Sequence, residues 1–301
     1  MAPIHRVFFA HPFMTVEASI SSLKHHRQVT WFVLTLLLLL RIPFVIAIIY
    51  LLPIDNQNGG AIYEVGAYLL TAFLIWWERD RLAEFHIDTS ALVLIIFFRP
   101  IQTLILSHWG VDTPLAFPRP AGLMLWAISI GLFLALWRSG YRPARLSSTT
   151  FGWLALGLLI GVLVSVLENL RPFQSAFANI HAQPMNLTLL FTSTGLNLLY
   201  HLGFAPIVEE PLFRGFLWGC LRQIKWKEGW ILAVQAGLFT LAHVYFASQY
   251  PLMFWVYIPV SALLLGLFAW RSRSLAPGML MHALINGSAY MLVLGLFTHF
   301  L

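Results

Sequence analysis

Charged residues are scarce in this 301-residue chain: 10% are Asp, Glu, Lys or Arg, against about 25% in a soluble domain. That shortage excludes an ordinary water-soluble globule. Cysteine is represented by Cys220 alone, which excludes an intrachain disulfide framework and any Cys-based zinc or iron–sulfur site. Internal repeats, low-complexity tracts and Gly/Ser linkers are also lacking, and no loop is long enough to fold separately. One membrane domain is the economical reading.

What is present is apolar: 59% of residues are hydrophobic. Runs long enough to cross a hydrocarbon core of ~30 Å recur along the chain, near 31–52, 61–77, 91–109, 121–137, 151–167, 187–221, 229–247, 252–270 and 278–298. The expected fold is all-α, a polytopic transmembrane helical bundle of about 8–9 spans with one kinked, motif-bearing helix. Residues 1–30 read as a cytoplasmic segment without a removable signal peptide, 31–186 as transmembrane helices without an assignable motif, and 187–298 as the motif-bearing helices.

Segment 187–221 is the difficult one, because a straight helix of that length spans ~52 Å, too long for one perpendicular crossing and short for two. Pro206 and Pro211 lie in its middle, so a kink or break is expected there. The net charge of +6 comes from basic residues between the apolar runs, which read as topology signals and not as a nucleic-acid surface. With 187–221 counted as one crossing, Arg6, Lys24, Arg27, Arg79, Arg81, Arg138, Arg142, Arg145, Arg222, Lys225, Lys227, Arg271 and Arg273 share a side, and Arg119 and Arg171 take the other. Counted as two crossings, the bias disappears. The expected arrangement is therefore nine spans, N-terminus cytoplasmic and C-terminus outside, and the expected location is the inner membrane of a prokaryote.

An ionisable side chain within a span needs a partner or a purpose. Arg41, Glu64 and Arg99 read as structural, joined in buried Arg–Glu pairs or reaching a cavity; His201 also lies within a span. The later set is dense and patterned. In Val208-Glu209-Glu210-Pro211-Leu212-Phe213-Arg214-Gly215, Glu210 and Arg214 share a helix face at i, i+4, whereas Glu209 points ~100° away. One glutamate is thus neutralised within its helix and the other is left without a fixed countercharge. Such a carboxylate holds its proton more tightly in a low-dielectric site, which suits Glu209 to general-base work.

Two more pairs repeat the one-turn spacing, Phe239 with His243 and His282 with Asn286, each expected on one helix face. Counted from the basic loops at ~1.5 Å per residue, Glu209 lies ~18 Å deep, His243 ~21 Å and His282 ~8–14 Å, so His282 is expected to be the shallowest.

Glu-Glu-x-x-x-Arg at 209–214, Phe-x-x-x-His at 239–243 and His-x-x-x-Asn at 282–286, in that order on three late helices, resemble the CPBP family of intramembrane proteases, which includes CAAX prenyl protease 2 and the abortive-infection and bacteriocin-processing proteins. The resemblance implies that Glu209 and His243 activate the attacking water, that Arg214 holds Glu210, and that His282 and Asn286 stabilise the oxyanion. Phe239 is then a packing wall. It also implies a membrane-embedded or lipidated protein or peptide substrate, the bilayer as surroundings, no cofactor and no metal. Three other readings stay open. Glu209, Glu210, His243 and His282 are possible zinc ligands, although no His-Glu-x-x-His helix occurs and Arg214 competes for Glu210. Buried carboxylates and histidines also build transporter proton relays, and a non-catalytic membrane scaffold would carry the same inventory.

Overall fold

A computed structural model of the chain describes residues 16–51, 56–142, 148–168 and 187–297. Among these residues the fold is helical throughout, with no strand. Helix α1 (Val16–Leu39) continues through a π-helical turn (Leu40–Phe44) into α2 (Val45–Tyr50). The wide turn accommodates Pro43, which has no N–H to give to the helical ladder. Then come α3 (Asn56–Trp77), a 3-10 segment (Arg79–Phe85), α4 (Thr89–His108), α5 (Pro120–Arg138) and α6 (Ser148–Glu168). Asp88 caps α4, its Oδ1 accepting from the Ala91 N–H at 2.9 Å.

Helix α7 (Leu187–Leu202) leads into the motif helix, made of α8 (Ala205–Glu210), a π-helical stretch (Pro211–Leu217) and α9 (Trp218–Gln223). After it stand α10 (Glu228–Leu241), a π-helical turn (Met253–Tyr257) running into α11 (Ile258–Ser272), and α12 (Ala276–Phe297). Among the described residues five stretches are long and apolar enough to cross a membrane by length and composition: Leu23–Tyr50, Gln57–Trp77, Thr89–His108, Pro120–Arg138 and Met253–Ser272. Large apolar side chains face outward, including Phe32, Trp137, Leu159 and Trp255, a surface that suits lipid rather than water. The molecule is an integral membrane protein.

The long segment 187–221 breaks at Gly203 and Phe204, whose φ/ψ of −97° and −117° are not helical. The break falls ahead of the prolines because Pro206 cannot bond the Leu202 carbonyl four residues back, so α7 stops there and Pro206 sits in the first turn of α8, where its missing N–H is harmless. Gly203 backs directly onto the Phe98 carbonyl and the Gln102 side chain of α4, leaving no room for a Cβ. Arg99 Nη1 donates to the Gly203 carbonyl at 2.7 Å, which satisfies a backbone group exposed by the break. Both pieces run antiparallel to α12: Asn197 Nδ2 bonds the Gly287 carbonyl at 2.6 Å, and further down His282 meets Glu210. They are two pieces of one broken segment, with α12 beside both and α4 packed against the break.

Between the basic loops and the motif residues, Phe85, Phe213, Phe216, Trp218, Leu275 and Met279 are fully buried.

Candidate active site

The motif helix delivers Glu209 and Glu210 side by side in its first, fully buried turns. Arg214 Nη1 donates to Glu210 Oε1 at 3.1 Å, one turn away on the same helix. The same Oε1 lies 2.8 Å from His282 Nδ1 on α12. A carboxylate only accepts, so Nδ1 carries a proton and Nε2 is turned toward Glu209 Oε2, 3.9 Å away.

His282 is not the shallow member of the set. The approach to α12 is itself submerged: Ser274, Leu275 and Ala276 are buried, and the Leu275 N–H bonds the His86 carbonyl at 2.9 Å. Counting residues from the nearest basic loop therefore understated its depth.

His243 does not lie on the helix that carries Phe239, as the spacing had suggested. Helix α10 ends at Leu241, and His243 adopts φ −113° and ψ 18° beyond its end. The two still meet, with ring centroids 4.6 Å apart and His243 Nδ1 2.8 Å from the Phe239 carbonyl. Phe239 also packs edge-on to His282 at 5.8 Å and under the Arg214 guanidinium at 4.2 Å.

The expectation that Glu209 has no fixed countercharge is overturned. Arg41, from the π-helical turn after α1, reaches Glu209 Oε1 with Nε at 2.9 Å and Nη2 at 2.7 Å. Its Nη1 donates to the Ala242 carbonyl at 2.9 Å, and its Nη2 lies 3.0 Å from His243 Nε2. Arginine has no acceptor, so His243 Nε2 is the acceptor and its proton sits on Nδ1, directed at Phe239. Arg41 thus ties Glu209 and His243 together from a helix that the motifs do not touch. The only sequence signal for it was an arginine in an apolar run with no partner on its own helix.

Glu209 Oε2 is different from Oε1. It is buried without a hydrogen-bond partner, 4.0 Å from His243 Nε2 and 3.9 Å from His282 Nε2. Glu209 itself borders a cavity of about 730 Å³ that Tyr63, Tyr245, Ser261, His201 and Asn286 also line. Asn286 lies four residues after His282, lines this cavity and is exposed to it. Glu64 also borders it, paired with Arg99. Among the described residues, no group of three or more His, Cys, Asp and Glu side chains is placed to hold a metal ion.

Two glutamates, two histidines and two arginines meet in one cluster, and Arg41, Glu209, His243 and His282 of that cluster border the cavity; this defines the class of polytopic proteins with an intramembrane polar site. Residues 191–288 match the family model of the type II CAAX prenyl endopeptidase Rce1-like proteins. That third of the chain contains Glu209, Glu210, Arg214, Phe239, His243, His282 and Asn286, so the family match and the three motifs fall on the same helices; it supports a membrane-embedded protease. Arg41 lies outside the matched residues. No curated protein and no solved structure matches the chain.

Proposed function

We propose that the protein is an intramembrane glutamic endopeptidase that hydrolyses a peptide bond in a membrane-anchored or lipidated substrate. The observation that carries this reading is Glu209 Oε2, an acceptor without a protein partner, held by its other oxygen and bordered by two imidazoles at 3.9 and 4.0 Å. A water held at Oε2 gives that oxygen its proton as the water oxygen attacks the substrate carbonyl. The C–N bond then breaks, and the proton taken up by Glu209 passes to the leaving amine. His282 Nε2 and the Asn286 amide are the donors for the developing oxyanion. A donor at Nε2 is a ring carrying both protons, with Glu210 at 2.8 Å from Nδ1 as its counter-charge.

Arg41 supplies positive charge where a metal ion would otherwise polarise the site, which favours the metal-free mechanism over a zinc peptidase. Reversible loss of activity with a chelator, restored by zinc, would reverse that choice. We place the basic loops on the cytoplasmic side on the strength of the charge bias, and the chain in the inner membrane of a prokaryote. The test compares peptide termini by mass spectrometry in membranes holding wild-type protein and Glu209→Gln at equal abundance. Termini that vanish in the variant are expected; identical termini would remove the protease reading.

A further inference from the structure

Helix α3 carries two adjacent glycines near its start, and they differ. A Cβ at Gly59 would stand 2.8 Å from Ile48 Cγ2 on α2, so that position is small because α2 packs against it. A Cβ at Gly60 would meet nothing within 4 Å. Packing gives no reason for a glycine there, and glycine inside a helix is a poorer helix former than alanine.

The room at Gly60 lies inside the protein. The outward side of α3 is marked by Ile62 and Leu69, 56% and 53% exposed. At about 100° per residue, a side chain at position 60 would project about 200° away from Ile62. It would fall between Tyr63 and Glu64, about 60° from the first and about 40° from the second. Gly60, Tyr63 and Glu64 all border the cavity that Glu209 borders. The Tyr63 ring centroid is 5.9 Å from the Arg41 guanidinium carbon, and Arg41 Nη2 is 2.7 Å from Glu209 Oε1. Gly60 is therefore one helical turn from the side chain that touches the anchor of the candidate base.

The surroundings suit an apolar occupant. Val45, Ile48 and Ile49 of the first helix line the same cavity, and the charge of Glu64 is balanced by Arg99. An ionised group placed here would be desolvated without a countercharge.

We propose that Gly60 is a specificity-determining residue: the side chain it lacks leaves room for a branched or aromatic apolar side chain of the substrate beside the cleaved bond. The room on the inward face of α3 stands on the structure alone; its use by substrate rests on the endopeptidase reading.

The test enlarges residue 60 in steps. Gly60→Ala, Gly60→Leu and Gly60→Phe are compared with wild type for Glu209-dependent peptide termini in membranes at equal abundance, and for Tm in detergent. Gly131→Leu is the control, because a Cβ there also meets nothing within 4 Å but α5 does not line the cavity. Gly60→Ala is expected to keep or raise Tm. Gly60→Leu and Gly60→Phe should lower cuts beside branched and aromatic apolar residues by about tenfold, while cuts beside Gly, Ala and Ser stay within about threefold. Gly131→Leu should change neither. A cut pattern unchanged in Gly60→Leu and Gly60→Phe, or all cuts reduced alike, overturns the proposal and leaves the protease reading intact. So does a wild-type pattern without bulky apolar residues beside the cut. If the two larger variants fail to fold, Gly60→Ala decides, with a loss of about threefold confined to the bulky sites expected and a uniform or absent change overturning it. Wild-type membranes without Glu209-dependent termini would remove the protease reading, and the proposal with it.

Discussion

Two buried Arg–Glu pairs join separate helices, and they are built for different ends. Arg99 and Glu64 link α4 to α3, and Arg99 spreads its Nη1 over Gln102 Oε1 at 2.8 Å and the Gly203 carbonyl at 2.7 Å. Arg41 and Glu209 link the first helix to the motif helix, yet that carboxylate keeps one oxygen without a hydrogen-bond partner, 4.0 and 3.9 Å from two imidazoles. The residue types and burial are the same in both pairs. Both glutamates border the cavity; what marks Glu209 is the two imidazoles beside its second oxygen.

The sharpest test of this contrast is Glu209→Gln. The amide oxygen still accepts from Arg41, so the protein is expected to insert and fold, while cleavage falls by about a thousandfold, the scale of a lost general base. Full activity in the purified variant would show that Oε2 is not the base. Next, Arg41→Met is expected to cost about 3–5 kcal/mol by leaving a carboxylate buried and unpaired, and to slow cleavage by about a hundredfold as Glu209 and His243 lose their common anchor. Adding Glu209→Gln to Arg41→Met should restore much of that stability, seen as a higher Tm in detergent, without restoring activity.

Arg99→Met should destabilise by a similar ~3–5 kcal/mol, but activity per folded molecule should stay within about tenfold of wild type. A large activity loss at unchanged Tm would erase the distinction between the pairs. The smallest effect expected concerns His86, in the loop on the basic face. Burial, then the Arg222 and Arg273 guanidiniums, pushes its pKa down to about 4, and its Nε2 lies 3.2 Å from Arg222 Nη2. The fold therefore prefers neutral His86, while the unfolded chain takes up a proton near pH 6.5. Stability should be level above pH 6.5 and decline as pH falls toward 4, by at most about 3 kcal/mol. His86→Gln should flatten that part of a Tm-against-pH curve.

The helices were legible because bilayer thickness imposes a length on apolar runs, and the Glu210–Arg214 pair because one helical turn fixes its geometry. The same local logic failed where tertiary structure intervened. Arg41 lies 168 residues from Glu209, and no periodicity connects positions so far apart. His243 left its helix because α10 stops at Leu241. His282 went deeper than its count from the loop because the segment before it is packed under His86. The break at Gly203 was expected in the region but not at that residue, since its position depends on α4 pressing against it.

Helix α6 contributes no side chain to the cavity wall, but its backbone lies hard against α12. A Cβ at Gly157 would stand 2.6 Å from the Pro277 carbonyl oxygen, and one at Gly161 would stand 2.9 Å from Leu284 Cβ. Residues 277 and 284 bracket His282, so α6 works as a ruler against which the height of that imidazole is set. A methyl group added on this peripheral helix lifts α12 away from its stop, and a histidine moved by a single ångström no longer spans the gap between Glu210 and Glu209. Random mutagenesis scored by activity should therefore find inactivating changes on α6 that no inspection of the reacting groups would suggest.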